Sequence, residues 1–144
     1  MIGASGTTLA AGTVWWLGVA DSDEAEVGAL HDVTPEVVLA AGRLPPLPDG
    51  ATDVMASRWS GIFTGASYLR FRATEDAVRD FIAAADLRST DCRPFPRHDS
   101  IPSWFTPERL NTPRCFEIPP DRQRHDSGTV WVQGDTVLAE VVWS

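Results

Sequence analysis

The chain has 144 residues, 43% of them hydrophobic and 22% charged, a single domain's length of globular rather than disordered sequence. Its 20 acidic and 12 basic residues give a net charge of -8, so its field repels phosphate backbones and anionic membrane surfaces, which excludes nucleic acid as a partner. Every basic residue is arginine, a bias of composition with no functional reading.

Residues 1–20, MIGASGTTLAAGTVWWLGVA, contain no charge, and about 20 helical residues match the thickness of a bilayer's hydrocarbon core. They predict a single membrane pass with the rest of the chain outside the cell and Trp15 and Trp16 near the interface. Small residues at Gly18 and Ala20 suit a second fate, cleavage after Ala20 as a secretory signal. In a third, these residues are core of a soluble protein.

Next comes DSDEAE, which opens a stalk over residues 21–50. Thr34, Pro35 and Glu36 carry a helix-start signature within it, the helix ends near Gly42, and Pro45, Pro46 and Pro48 stiffen the chain beyond.

The domain proper is expected over 51–144. ATDVMASRWSGIF reads as a strand, and SYLRFRAT alternates, with Leu69, Phe71 and Ala73 on one face and Tyr68, Arg70 and Arg72 on the other. Gly61 and Gly65 mark the turn between the two runs. In TEDAVRDFIAAADL, Thr74 caps a helix, and Val78, Phe81, Ile82 and Ala85 form one apolar stripe that should lie on the sheet.

From Arg88 to Pro120 the chain holds seven of its eleven prolines, and so long a loop needs an anchor. Cys92 and Cys115, an even pair outside the cytoplasm, predict a disulfide that supplies one. Thr106 and Pro107 start a single helical turn inside the loop, and RCFEI reads as a brief strand after it. The sequence closes on a hairpin about Gly134 and Asp135, a turn of the II′ kind, which puts Val132 opposite Val137, Val130 opposite Ala139 and Trp131 opposite Leu138. The valine face is expected in the core and the Trp131 face nearer solvent. The sum is an α+β fold: a mostly antiparallel sheet with one main packed helix, a long disulfide-stapled loop and a C-terminal hairpin.

Three groups of residues invite chemistry. The tetrapeptide RHDS occurs at 97–100 and again at 124–127, so His98, Asp99, His125 and Asp126 would suit zinc or manganese if the copies met. Neighbours in sequence diverge in space, so one copy cannot form a hydrolase triad by itself, and polar loops are made of these same residues. Arg70 and Arg72 with Tyr68, joined by Arg58, form a candidate site for a carboxylate or phosphate, which arginine binds through two parallel hydrogen bonds. Finally, Phe95, Trp104 and Phe105 either present an interface or fold back onto the sheet.

The runs LPDGATDV, YLRFRATEDAVRDFIAAADL, PSWFTP and VWVQGDTVLAEVVWS, in this order over about residues 45–144, resemble uncharacterised small actinobacterial proteins that are membrane-anchored or secreted. The resemblance implies an extracytoplasmic domain and carries no catalytic residue. The expected function is therefore non-catalytic binding of a protein or cell-envelope component, without a cofactor. Two alternatives stand beside it: a small metal-dependent hydrolase using the His/Asp loops, and a soluble inhibitor or immunity-type partner protein.

Overall fold

A computed structural model describes residues 28–123 and 125–144. The expectations for residues 1–20 and for the acidic run that follows lie outside the described residues. Among those described, no helix is long and apolar enough to cross a membrane.

Seven antiparallel strands form one sheet in the order β1-β2-β3-β7-β6-β5-β4. They are β1 (Leu30–Asp32), β2 (Thr52–Ser60), β3 (Gly65–Arg72), β4 (Arg88–Thr90), β5 (Arg114–Ile118), β6 (Ser127–Gln133) and β7 (Thr136–Trp143). Among the described residues, two helices, α1 (Pro35–Ala41) and α2 (Glu75–Ala84), and a 3-10 turn at Pro107–Arg109 complete the fold. The α+β architecture, the antiparallel sheet and the closing hairpin agree with the sequence reading.

Residues facing each other across an antiparallel ladder share a face of the sheet, which divides every strand in two. Leu69 and Phe71 of β3, Val137, Ala139 and Val141 of β7, and Val130 and Val132 of β6 point one way. Val38 and Leu39 of α1 and Val78 and Phe81 of α2 cover them, and together they form the main core. The stripe on α2 arises at helical spacing as expected, and Thr74 Oγ1 accepts the Ala77 N–H at 3.2 Å to close its N-terminus.

Two elements depart from the sequence reading. Leu30–Asp32 pairs with β2, and α1 buries Val38 and Leu39, so the segment from Leu30 to residue 50 is part of the domain rather than a stalk. Arg88–Thr90, assigned by sequence to the long loop, pairs with β5 as an edge strand.

The opposite face is also buried. Ala66, Tyr68, Leu138, Trp131 and Cys115 point to it, and the segment between β4 and β5 folds back over them. Trp131 and Leu138 are 6% and 1% exposed, so the hairpin face expected nearer solvent lies beneath this cover. Cys92 and Cys115 are disulfide-bonded and pin the cover at its two ends. Phe105, fully buried, is the cover's keystone: its ring centroid lies 4.9 Å from that of Tyr68, 5.6 Å from Phe95, 5.7 Å from Trp131 and 6.0 Å from Trp104. Arg97 clamps the cover from outside, donating to Glu108 Oε2 at 2.8 Å and to the Phe105 carbonyl.

Candidate functional site

The sheet register decides which sequence candidates meet. Met55 faces Arg70 and Ala56 faces Leu69, so Arg58, two residues beyond Ala56, lies on the helix face, while Tyr68, Arg70 and Arg72 lie on the other. Arg72 is held by Asp135 at 2.7 Å and Asp53 at 3.7 Å. Arg70 donates to the Trp104 carbonyl at 3.3 Å and is packed against Met55 Sδ. Tyr68 is buried and donates its O–H to Glu140, its partner across the strands. These three residues are engaged within the domain and do not join Arg58.

Arg58 has other neighbours. Across β1, β2 and β3, His31 faces Arg58 and Arg58 faces Ser67. Directly opposed side chains have Cβ atoms about 4.5–5.5 Å apart, so the three form one row on the helix face. His31 Nδ1, Arg58 Nε and Ser67 Oγ are the buried side-chain polar atoms that lack a hydrogen-bond partner among the described residues. Each such orphan costs about 1–3 kcal/mol, and all three stand in this one row.

Two features hold Arg58 there. Its Cζ lies 4.5 Å from the centroid of the Trp143 ring, a cation–π contact. Trp143 in turn faces Gly65 across β3 and β7, and its indole occupies the place where a Cβ on residue 65 would stand. Glycine at 65 thus lets the ring lie over the strand. Among the described residues Arg58 is the one partly buried arginine with neither an ion pair nor a hydrogen bond.

Beside the row runs an open groove of about 430 Å³ lined by His31, Asp32, Val33, Thr34, Val37, Arg58 and Ser60. Asp32 belongs to the other face, where its Oδ1 accepts the Ser57 hydroxyl at 3.1 Å. The groove therefore offers a guanidinium, an imidazole and the hydroxyls of Ser60 and Thr34. That donor set suits an oxyanion, for which a guanidinium fork supplies two parallel hydrogen bonds.

A second, smaller cleft of about 230 Å³ lies under the cover, where Glu140, Thr129 and Glu117 stand side by side on β7, β6 and β5. Burial raises the Glu140 carboxyl above its ordinary range, an effect partly offset by the hydrogen bond from Tyr68. Tyr68 is itself pushed up by burial first and then by the Glu140 charge. Glu117 is paired with Arg88 at 2.6 Å. Glu117 and Glu140 are thus each engaged by a partner, and among the described residues no histidine, serine or cysteine thiol lines the cleft as a nucleophile or base.

The RHDS copies occupy different settings. His98 is exposed in the cover, and its Nδ1 lies 2.6 Å from Ser100 Oγ, a local contact two residues apart. His125 takes a left-handed φ of 59° in the turn between β5 and β6, where its N–H donates to the Asp121 carbonyl. That turn is attached to the end of α1 by Arg43, which pairs with Asp121 at 3.7 Å and donates to the Pro119 carbonyl. Among the described residues no three His, Cys, Asp or Glu side chains are grouped to hold a metal, the set His98, Asp99, His125 and Asp126 included. Phe95, Trp104 and Phe105 are turned inward as the cover's packing.

Sequence reasoning singled out Arg58 and missed His31 and Ser67. His31 carried no local signal beyond being one of three histidines, and Ser67 sat in an alternating strand where a serine is unremarked. Comparison with protein-family models, with curated proteins and with solved structures finds no match for this chain.

Proposed function

We propose that this chain is a non-catalytic extracytoplasmic binding domain, held at the membrane through residues 1–20, that takes an anionic group of an envelope component or partner protein in the groove lined by His31, Arg58 and Ser60. The observation that carries the reading is the row itself: three buried polar atoms without a partner among the described residues, one of them from a half-buried arginine with no carboxylate partner among those residues, beside an open groove. Partners for buried polar groups are otherwise the rule, and their absence at one place points to a site. The Cys92–Cys115 disulfide supports an oxidising compartment.

Calorimetric titration of the detergent-solubilised full chain with inorganic phosphate tests it. Saturable binding is expected, weakened at least tenfold by Arg58→Ala and unchanged by Arg72→Ala, whose guanidinium is ion-paired at the far end of β3. Identical titrations for the unaltered chain and Arg58→Ala would overturn the anion groove.

A further inference from the structure

The sheet is unequal at its two ends. At one end, β2 and β3 are joined by a turn whose Ile62 and Phe63 are 82% and 86% exposed. The other large hydrophobic side chains exposed among the described residues, Leu30 and Met55, are each 37% exposed. The turn is braced: Gly61 donates to the Thr64 carbonyl at 2.7 Å, and Thr64 Oγ1 donates to the Trp143 carbonyl at 2.6 Å. Two neighbouring apolar side chains are therefore held out into solvent on a fixed support.

The same end gathers aromatic side chains with polar edges. Trp59 stands on β2, which leads to the turn, Trp143 stands on β7 opposite Gly65, and Trp59 Nε1 donates to the Gly28 carbonyl at 2.8 Å. Arg58 and His31 lie about 10 Å behind the tip, at a strand's rise of about 3.3 Å per residue. The opposite end is charged: Asp53, Arg72 and Asp135 form an ion-paired group there, with Asp49 and Glu75 near it. Within β1, β2 and β3 the order along the strand axis is charged, then basic and aromatic, then apolar, while the polar β5–β6 turn lies at the same end on the other half of the sheet. This is the ordering of an interfacial protein, with tryptophan at headgroup depth and aliphatic and phenyl groups deeper.

The chain also enters the described fold at this end, since the Gly28 N–H donates to the Ser60 carbonyl, one residue before the turn begins. Residues 21–27 are all that separate Gly28 from the uncharged run 1–20. Even fully extended, seven residues reach roughly 25 Å. If the run 1–20 is the membrane anchor, the tip cannot stand far from the bilayer.

We infer that the β2–β3 end is a bilayer-docking surface, in which Ile62 and Phe63 enter the headgroup boundary of the membrane that anchors the chain. This inference rests on the proposed anchoring through residues 1–20. The occupant is neutral lipid: the net charge of -8 and the acidic run at 21–26 weigh against an anionic leaflet. Docking would fix the domain's orientation and hold the His31–Arg58 groove close to the membrane surface.

The test reconstitutes the full chain in phosphatidylcholine vesicles and checks flotation. It uses two photo-crosslinking versions, Phe63→p-benzoylphenylalanine at the tip and Asp49→p-benzoylphenylalanine at the charged end. Both positions are exposed, and native thermal midpoints confirm folding. Illumination followed by mass spectrometry is expected to give at least tenfold more lipid adduct from position 63 than from position 49. A chain that floats but labels lipid equally from both positions, or not at all, overturns the docking and leaves the anchor standing. Adducts from position 63 to a second copy, or to the chain's own residues 1–20, overturn it in favour of those occupants. A chain that fails to float removes the anchor and the docking together.

Discussion

Glu140 on β7 and Tyr68 on β3 face each other across the sheet and share a hydrogen bond beneath the loop that closes over them. The pair lies in a row that continues through Thr129 and Glu117 to Arg88 on one side, and through Ser57 to Asp32 on the other. One register thus threads a polar line through all seven strands, and the covered part of that line is where titration reaches the fold's stability.

Burial raises the Glu140 carboxyl in the folded state, so the fold favours its protonated form. Its contribution to stability is fully present below the ordinary glutamate range and is lost as pH rises through the raised value. Glu140→Gln keeps an acceptor for Tyr68 without the charge, so at pH 7 it is expected to melt at or above the temperature of the unaltered chain. The difference between the two should vanish toward pH 4. Glu108 and Asp135 are lowered by their arginine partners and act with the opposite sign in both proteins, so they cancel in the comparison. Melting curves from pH 4 to 8 check it; a variant less stable at pH 7 than at pH 4, relative to the unaltered chain, contradicts it.

The Cys92–Cys115 bridge closes a segment of 23 residues. Breaking a loop of that length costs about 3 kcal/mol through the unfolded chain. Cys92→Ser with Cys115→Ser should lower stability by about that amount in guanidinium titrations, and a reducing agent should leave the double variant unaffected while bringing the unaltered chain down to it.

Phe105 contacts four other rings and is fully buried. Phe105→Ala is expected to cost about 3–5 kcal/mol, the range for a buried phenyl group. Because the same loop carries the disulfide, Phe105→Ala and the double serine replacement should be non-additive. A double-mutant cycle reads this directly, and simple additivity would mean that the cover is not one cooperative unit.

Ser67 buries a hydroxyl without a partner. Ser67→Ala should therefore stabilise the fold, by about 1 kcal/mol. Ser67 does not line the groove, so the same change should leave phosphate affinity unchanged. Thermal melting and calorimetry on the one variant check both, and a loss of stability would mean that the hydroxyl has a partner in the fold.

How much of this was legible in the sequence depended on whether the signal was local. The turn at Gly134, with φ of 58°, set the β6–β7 register correctly, because a two-residue loop leaves no freedom in pairing. The helix over Glu75–Ala84 followed from Thr74 and the stripe through Phe81. By contrast β1 and β4, at three residues each, are too short to show a period, and only their partners define them. Missing β1 hid His31, for its place opposite Arg58 depends on a pairing that spans α1 and cannot be read from spacing. The fate of Phe95, Trp104 and Phe105 was similarly non-local, since irregular chain has no face until something lies beneath it.

Those two short strands are also the sheet's borders, β1 at one and β4 at the other. Each presents only three residues of unpaired backbone, one bearing His31 and Asp32 and the other Arg88 bound to Glu117. Brief, charged borders discourage a further strand from being added. Such borders disfavour the common route by which a partner extends a sheet with its own backbone. If the domain binds as proposed, recognition falls to side chains such as Arg58 rather than to an added strand.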